Sequence, residues 1–590
     1  MNKKSVLMAS LAAAMFTAAF TACSDDDKPV GTGGDVQYLG KEVGNFSKEE
    51  WYPGGELGTT ENVNSACYED EAPAVEAQGL LSEFKHGEMF FERQYTVNTK
   101  PFNGLGPISV RRSCLDCHPN YGHGRRMENF VTAYGNGNGY LLAIYHPTSE
   151  GSNDGPYINE VSGMPQTQAT PPFKAPIDES QINLHWETVK SMPSGLPLEF
   201  PDGEKFSLIY PEVTIPTTAF RTKPQPTNIA VRLESTIGVI GTGLLDAITE
   251  DDIKAQYAST ANYYKNVAKV ADVTEYVNPT FWDADKNDFA IGAWYGTFGS
   301  DGDLVDGGKP ASHDYKSGNN VVNGPAMVKR FTYALTRATL QDGPGANAIW
   351  NITNVTRPDR PKLYTTTYWA EAMAADQEVI ERIKQDPTSP FWASTDDEIK
   401  DRVKNLLSPS TNQFDNQWHN FEPEMSANDF YDFMVWHRGL AIPRARNLND
   451  KDVQRGKEVF NEIGCASCHR AKWVTGSDNY WVPAMNKGKK LPRYAHQTIF
   501  PYSDMMQHKL YMANDIHGSW CRTTPLWGRG LSYLNTGAED RLHDCRARNE
   551  IEAIMWHAYD KRSHAYDAAL KFYNLPKADR DAVVKFLRAI

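Results

Sequence analysis

Two short segments of the chain combine residue types that could hold a redox cofactor. They are Cys114-Leu115-Asp116-Cys117-His118 and Cys465-Ala466-Ser467-Cys468-His469. In this spacing two thiols can add to the vinyl groups of a haem, while the adjacent imidazole ligates the iron from the same turn. Zinc binding or a chance cysteine pair is the alternative, and two complete copies disfavour it. The sequence therefore predicts two covalently bound haem c groups, attached through Cys114, Cys117, Cys465 and Cys468, with His118 and His469 as iron ligands.

The sixth coordination position of each iron decides what such a haem does. Two protein ligands make a closed, electron-transferring haem, whereas an open or displaceable position admits a substrate. For the first haem, His123 and Met127 follow His118 closely, and His146 lies in a Tyr-His-Pro context typical of a strand end. An open or water-bound iron is the remaining alternative, and it is the catalytic one.

A reaction on a ligand bound at an open iron needs a base near the open face that can move a proton. Asp246 and Glu234 are the candidate catalytic residues for this step, and helix-end or surface charges are the alternative interpretation. Arg330 and Arg337 are candidates for pairing with haem propionates, because a guanidinium suits bidentate contacts with a carboxylate.

The N terminus predicts export and lipid attachment. Two lysines precede an apolar stretch at residues 7–20, which leads into the lipobox-like Phe20-Thr21-Ala22-Cys23. The stretch is too short to favour a membrane-spanning helix. We expect cleavage before Cys23 and lipidation of its sulfur, with an ordinary signal peptide as the alternative. The acidic residues that follow resemble the export tag of bacterial surface lipoproteins, so the expected location is extracytoplasmic, lipid-anchored to the outer membrane on its periplasmic face or at the cell surface.

Cysteine usage and charge narrow the functional classes further. The chain has eight cysteines, and three remain after the lipid and haem sites are assigned: Cys67, Cys521 and Cys545. The last two lie in one C-terminal segment and are candidates for a disulfide in an oxidising compartment, while Cys67 has no assigned role. The formal charge of −14 argues against a nucleic-acid partner, which would need clustered basic residues.

Helices are predicted directly before each haem motif, at about residues 74–95 and 450–463. Each contains a glycine, Gly87 or Gly456, followed by aromatic residues. This weak internal repeat is typical of the helix that begins a cytochrome c domain, where glycine permits close packing. Further helices are expected at about 366–440, 549–560 and 578–589, and a strand at Phe206–Tyr210.

The predicted fold class is mainly α with irregular loops and some β, arranged as two cytochrome c-like haem domains of which the first has large insertions. The chain of 590 residues is too long for one ordinary core. The expected divisions are a lipoprotein signal peptide at 1–23, a flexible tether at 24–45, the N-terminal haem domain at 46–445 and the C-terminal haem domain at 446–590. A separate inserted domain near 255–400 is the alternative.

Several blocks of the sequence resemble the peroxidase-like family of dihaem oxidoreductases, which is related to the bacterial dihaem cytochrome c peroxidases. The resemblance runs from about residue 80 to the C terminus, and its C-terminal blocks are the most specific. The blocks are Phe102–Pro107 with Ser113, Gly243–Ile248, Pro501–Asp504 with His508, Arg522–Gly528, Leu542–Asp544 and Ala553–His557.

The resemblance implies further site residues. In the related peroxidases a His-Asp-Gly turn precedes the distal ligand of the C-terminal haem by fourteen residues, and counting from His543 gives His557, with Met555 as the rival. The family usually has an acidic residue at the position of Asp246. This chain departs from the pattern at Cys545, which replaces the turn glycine, and at Cys521. A disulfide between them would join two haem-lining loops, and a redox-active thiol pair is the alternative.

The function implied is that of a dihaem c-type cytochrome oxidoreductase, peroxidase-like, which passes electrons from a C-terminal bis-His haem to an N-terminal catalytic haem. The expected partners are a redox partner protein or small electron donor, hydrogen peroxide as candidate substrate, and a membrane reached through the lipid anchor. The alternative is a non-enzymatic electron-transfer cytochrome, including one that serves iron uptake. The length beyond two minimal cytochromes favours the enzyme.

Overall fold

The computed structural model describes residues 35–96, 104–131, 139–149, 155–295, 313–317, 320–324, 327–338, 340, 344–357, 363–409, 424–480, 482 and 486–590. The predicted signal peptide, the lipidation site Cys23, most of the tether, and Phe102 and Asn103 lie outside these residues. Among the helices that the structure describes, none combines the length and apolar character that a membrane span requires.

The α-helices carry most of the regular structure. They are α1 Gly55–Gly58, α2 Pro73–Ala77, α3 Leu81–Glu92, α4 Thr242–Asp246, α5 Glu250–Asn262, α6 Pro344–Thr353, α7 Thr367–Ala375, α8 Gln377–Lys384, α9 Asp396–Leu407, α10 Ala427–Gly439, α11 Lys451–Ile463, α12 Ser532–Thr536, α13 Glu550–His557, α14 Tyr566–Tyr573 and α15 Lys577–Ala589.

The strands pair two at a time into small sheets. The pairs are Thr59–Thr60 with Ile442–Pro443, Ile108–Ser109 with Gln168–Ala169, Tyr140–Tyr145 with Ala230–Ser235, Asn183–Thr188 with Ile209–Thr214, Trp282–Asp283 with Asp288–Phe289, Trp294–Tyr295 with Met327–Val328, His313–Ser317 with Asn320–Gly324, Trp473–Val474 with Thr498–Ile499, and Gln507–Lys509 with Trp520–Arg522. The first pair is parallel and the others are antiparallel. Helices and small sheets together agree with the predicted combination of α structure and some β structure.

Polar side chains fix where the helices near the haem motifs begin. Ser426 accepts a hydrogen bond from a backbone N–H in the first turn of α10, and Asp450 and Asn549 do the same for α11 and α13. These caps satisfy donors that a helix start leaves without partners. Helix α11 ends at Gly464, whose φ of +101° turns the chain directly into the second haem motif.

Helix α3, which precedes the first haem motif, crosses α10 at Gly87. A Cβ atom on Gly87 would lie 2.0 Å from the carbonyl oxygen of Asp432 and 2.7 Å from the Cβ of Trp436. Only glycine therefore lets the two backbones approach this closely. One turn further on, the ring centroid of Phe91 lies 4.4 Å from that of Trp436.

Helices α11 and α15 repeat this crossing next to the second motif. A Cβ atom on Gly456 would lie 2.0 Å from the carbonyl oxygen of Ala582 and 2.7 Å from the Cβ of Phe586. The ring centroids of Phe460 and Phe586 are 5.3 Å apart. In both crossings an aromatic residue stands four positions after the glycine, so the weak repeat in the sequence corresponds to a repeated packing arrangement.

Separate apolar cores form around these elements. One contains the buried residues of α3, α4, α5 and α10, and a second contains those of α11, α14 and α15 together with Phe46 and Trp51 from the N-terminal part of the chain. A third lies among α7, α8 and α9, and a fourth beneath the strands of 140–145, 183–188, 209–214 and 230–235.

Some predicted elements have different bounds in the structure. The helix expected at 74–95 is divided into α2 and α3, because the intervening Gly79 has a φ of +70° that a continuing helix cannot contain. The strand expected at Phe206–Tyr210 begins only at Ile209 and continues to Thr214. Helix α14 was not predicted.

Candidate functional site

The second haem motif forms a short 3-10 turn, Cys465–Ser467, directly after α11. The backbone N–H of His469 donates to the carbonyl of Cys465, and the ring Nδ1 of His469 lies 3.0 Å from the carbonyl oxygen of Tyr502. A carbonyl partner holds the proton on Nδ1 and leaves the Nε2 lone pair for a metal. Burial lowers the pKa of His469 to about 4, so its imidazole is neutral at physiological pH.

The structure brings His557 close to His469. Next to burial, electrostatic repulsion from His557 is the largest contribution that lowers the pKa of His469. His557 is the last residue of α13, and its Nδ1 lies 2.7 Å from the carbonyl oxygen of Ala553, one turn earlier. Both imidazoles therefore use Nδ1 for a backbone carbonyl and keep Nε2 available, which is the arrangement that a bis-His haem needs. The rival Met555 is fully buried in the second core.

Backbone hydrogen bonds join the segment Pro501–Asp504 to the second motif. The N–H of Ser503 donates to the carbonyl of Arg470, and the N–H of Asp504 donates to the carbonyl of Cys468. The Asp504 carboxylate also lies 2.7 Å from Nε2 of His508. Cys468, Asp504 and His508 could hold a metal ion together, but a thioether bond to haem would use the Cys468 sulfur.

The first haem motif forms a similar 3-10 turn, Cys114–Asp116, which Ser113 caps. Phe91 lies beside His118 with ring centroids 6.0 Å apart, and Phe460 lies beside His469 at 6.2 Å. Burial lowers the pKa of His118 to about 4. Its buried Nδ1 makes no well-aligned hydrogen bond, although backbone groups of two nearby residues approach it.

The distal candidates suggested by the sequence have other partners. His123 uses both ring nitrogens, because Nδ1 lies 2.6 Å from the carbonyl of Gly124 and Nε2 lies 3.1 Å from the hydroxyl of Tyr333. His146 follows the strand Tyr140–Tyr145, and its Nδ1 lies 3.0 Å from the carbonyl of Asn228. The backbone of Met127 donates to a tyrosine hydroxyl, and its side chain packs against the fourth core.

His437, which the sequence analysis missed, lies near His118 instead. It is 3 % exposed in the last turns of α10, and burial together with repulsion from His118 lowers its pKa to about 3. Its Nδ1 is buried without a hydrogen-bond partner. A signal was present in the sequence: Trp436-His437 repeats the pair Trp556-His557.

Asp246, the first candidate base, is buried at the end of α4 rather than exposed as a helix-end charge. Its Oδ2 accepts a 2.5 Å hydrogen bond from Arg438, whose guanidinium also pairs with Asp478. Burial raises the pKa of Asp246 to about 6 despite these contacts, and its Oδ1 has no partner. Asp246 is thereby linked to the residue that follows His437 in α10.

Glu234, the second candidate base, belongs to a different cluster. It lies on the strand Ala230–Ser235, and its carboxylate is 3.1 Å from Nε2 of His517, whose Nδ1 lies 3.2 Å from the hydroxyl of Tyr157. Burial would lower the pKa of His517, but the Glu234 carboxylate raises it above the ordinary value.

The predicted disulfide between Cys521 and Cys545 is not formed, and both are free thiols. Cys521 lies on a strand opposite His508, whereas Cys545 packs against the carbonyl of Gly124 and the hydroxyl of Ser235 at 3.1 and 3.2 Å. Proximity in the sequence suggested the bond, but local strand pairing places Cys521 and long-range packing places Cys545, so the two sulfurs have different neighbours. Cys67 is also free and buried.

Arg330, a candidate for pairing with a haem propionate, has other partners in the structure. It is fully buried and donates to the carbonyls of Asp246 and Ile248 and to the carboxylate of Glu250. These partners occupy most of its N–H groups and make it the weaker candidate for a propionate. The other candidate, Arg337, donates to the carbonyl of Thr336.

Arg522 is better suited to an anionic cofactor. It is 2 % exposed, and its Nε and Nη2 are buried without partners, while Nη1 donates to the carbonyl of Arg330. A buried guanidinium is unfavourable unless an anion pairs with it. Two haem groups with propionate side chains therefore fit the residues present. These residues are the two cysteine pairs, the imidazoles with available Nε2 atoms and the buried Arg522 guanidinium.

Comparison with known proteins gives a match for the C-terminal part of the chain. Residues 416–590 match the family model described as "Di-haem oxidoreductase, putative peroxidase". No curated protein and no solved structure matches the chain. The matched range contains the second haem motif, His437, Arg522 and His557. Residues 416–590 are therefore similar to the di-haem oxidoreductase family, whose name implies haem binding.

Proposed function

We propose that the protein is a dihaem c-type cytochrome oxidoreductase with peroxidase-like activity. The observation that carries the proposal is the pair His469 and His557, whose Nδ1 atoms are both tied to backbone carbonyls beside a complete Cys-X-X-Cys-His turn. The family match over residues 416–590 supports it. A second such turn, at Cys114–His118, supports two covalent attachment sites.

Each haem, when bound, supplies an iron that exchanges single electrons and that can react with a peroxide where a coordination position opens. The chain's own residues then have distinct roles. The cysteine thiols would hold the porphyrins covalently, His469 and His557 would ligate the iron of the second haem, and Arg522 would pair with a haem propionate. A closed second site is suited to receiving electrons from a partner protein or a small donor.

The acid–base role belongs to Asp246 in this proposal. Its Oδ1 has no hydrogen-bond partner, and burial raises its pKa to about 6, so the carboxyl can gain or lose a proton near neutral pH. Arg438 fixes the other carboxylate oxygen. Glu234 is the weaker candidate, because His517 occupies its carboxylate.

Removal of each haem site separately tests the proposal. Full-length protein matured by a c-type cytochrome system is assayed for hydrogen peroxide turnover with an artificial electron donor. We expect the Cys114→Ser/Cys117→Ser variant and His557→Ala each to lose turnover, with only the targeted haem altered in the visible spectrum. Arg562→Ala, which removes a largely exposed side chain, is the control and should change neither the turnover nor the visible spectrum. Full turnover without the first haem would contradict the proposed division of roles.

A non-enzymatic electron-transfer cytochrome is the second candidate. The position of His437 near His118 favours it, because a second imidazole at the first iron would close that site as well. Two spectrally intact haems that exchange electrons but give no peroxide turnover, at any state of reduction, would favour this function over the enzyme.

We propose that the protein lies outside the cytoplasm and is anchored to the outer membrane by a lipid on Cys23. The lipobox-like sequence supports it. Metabolic labelling with a tagged fatty acid should mark the wild-type protein and not Cys23→Ala. Equal labelling of both would contradict lipidation at this residue.

A further inference from the structure

We propose that His437 is the second axial ligand of the iron held by His118, so that the first haem also lies between two imidazoles in the resting protein. The inference rests on the proposed two-haem function and extends it, because it names the ligand on which access to the first iron depends.

The packing of α3 against α10 brings the two imidazoles into one neighbourhood. The ring centroid of Phe91 lies 6.0 Å from that of His118 and 4.4 Å from that of Trp436. The rings of Trp436 and His437 lie 5.5 Å apart. The Gly87 crossing holds these distances, since any side chain at that position would push the helices apart.

His437 is available for a ligand where the other histidines near the first site are not. Its ring makes no hydrogen bond within the part of the chain that the structure describes, and Nδ1 is buried without a partner. His123, in contrast, uses both nitrogens. A buried imidazole without a polar partner is unfavourable, and an iron bond would remove part of that penalty.

The surroundings fix the end of α10 that carries His437. The next residue, Arg438, is 1 % exposed, pairs with Asp246 and Asp478, and donates from Nε to the carbonyl of Pro492 at 2.7 Å. Such anchoring limits the movement of the His437 backbone.

The second site has the same pairing in the same order of residues. His557 follows Trp556 at the end of α13 and approaches His469, as His437 follows Trp436 and approaches His118. A buried tryptophan beside the ligand is therefore common to both sites. The first iron, closed in this way, would bind an outside ligand only after its bond to His437 is lost.

Electron paramagnetic resonance of the ferric, full-length, haem-loaded protein tests the assignment. Wild type should show two low-spin haems and no high-spin signal. In His437→Gly one of the two haems should become high-spin, and added imidazole should restore the low-spin signal. His146→Ala is the matched control and should keep both haems low-spin. A high-spin first haem in wild type, or two low-spin haems in His437→Gly, would overturn the proposal.

A second variant covers the case in which His437→Gly does not fold. His437→Met keeps the side-chain volume and should raise the midpoint potential of the first haem alone, as methionine ligation does in cytochromes. An unchanged potential would overturn the proposal. Failure of the proposed enzyme function gives a different result, namely spin states as expected with no peroxide turnover in any state of reduction.

Discussion

The two haem motifs follow equivalent helix crossings but differ in how their histidines are held. At the second site, His469 and His557 each direct Nδ1 to a backbone carbonyl within 3.0 Å. At the first site, neither His118 nor His437 has a well-aligned partner for Nδ1. A hydrogen bond to Nδ1 orients an imidazole and makes it a stronger ligand. Under the proposed function, this difference predicts a second haem that keeps both of its ligands and a first haem whose ligand is released more easily.

The surroundings of the two sites differ as well. The first site adjoins buried ion pairs among Asp246, Arg438 and Asp478, whereas the second site adjoins the pair of Asp504 with His508. The carboxyl of Asp246, with a pKa of about 6 and one oxygen without a partner, belongs to these ion pairs. Proton transfer and ligand exchange are thus both expected at the first site.

The largest expected effect comes from Asp246→Asn. Loss of a positioned base lowers turnover by roughly 100-fold or more. The ionised form of Asp246 is the base, so wild-type kcat/KM for peroxide should rise with pH through about 6, where the raised pKa lies. The variant should lack that rise. Glu234→Gln is the matched control, and a larger loss in this control would transfer the acid–base role to Glu234.

The motifs were enough to predict where the two Cys-X-X-Cys-His turns lie, because their residues are adjacent in the chain. His557 came from the resemblance to the dihaem peroxidases, and its role as an iron ligand stays a prediction. His437 was missed because almost every residue of α10 near it is buried, so no polar face marks a ligand. The predicted disulfide is not formed because Cys521 lies on a local hairpin strand opposite His508, whereas Cys545 packs against Gly124 and Ser235, which are distant in the sequence. Local signals thus predict where the two Cys-X-X-Cys-His turns lie, while tertiary packing decides which residues approach them.

The helices that precede the motifs show the same limit of prediction from local sequence signals. Helix α11 was predicted closely, because Asp450 and Gly464 mark its two ends. The segment before the first motif was predicted as one helix, and the positive φ of Gly79 divides it. The long region between the motifs contains short strands whose pairing partners lie far along the chain, and alternation within a short segment cannot identify such partners.

The next effect is on stability rather than on turnover, and it is expected for Arg438→Met. The substitution leaves Asp246 and Asp478 buried without their cation, which costs about 3–5 kcal/mol in the free energy of unfolding. Denaturant unfolding of the haem-loaded protein measures it. The pair of the largely exposed Arg562 with Asp560 provides the control, since Arg562→Met leaves its own site in water and should cost under about 1 kcal/mol. Equal costs in the two variants would show that the buried ion pairs do not anchor the first site.

The smallest expected effects come from Gly87→Ala and Gly456→Ala. Each places a methyl group 2.0 Å from a backbone carbonyl, so the helices must separate at a cost of about 1–3 kcal/mol. Similar losses of thermal stability in the two variants would support equivalent crossings. Gly163→Ala, where the nearest atom is 3.6 Å away, is the control. A loss confined to one crossing would show that the two sites are built differently.

The central claim is that this chain holds two haems covalently, one at each Cys-X-X-Cys-His turn. Intact-mass spectrometry of the wild-type protein, exported and matured by a working c-type cytochrome system, tests it most directly. The account predicts a mature chain heavier by two haem groups, and peptides carrying them that contain Cys114 with Cys117 and Cys465 with Cys468. A mature chain without added haem mass, or with a single haem, would contradict it.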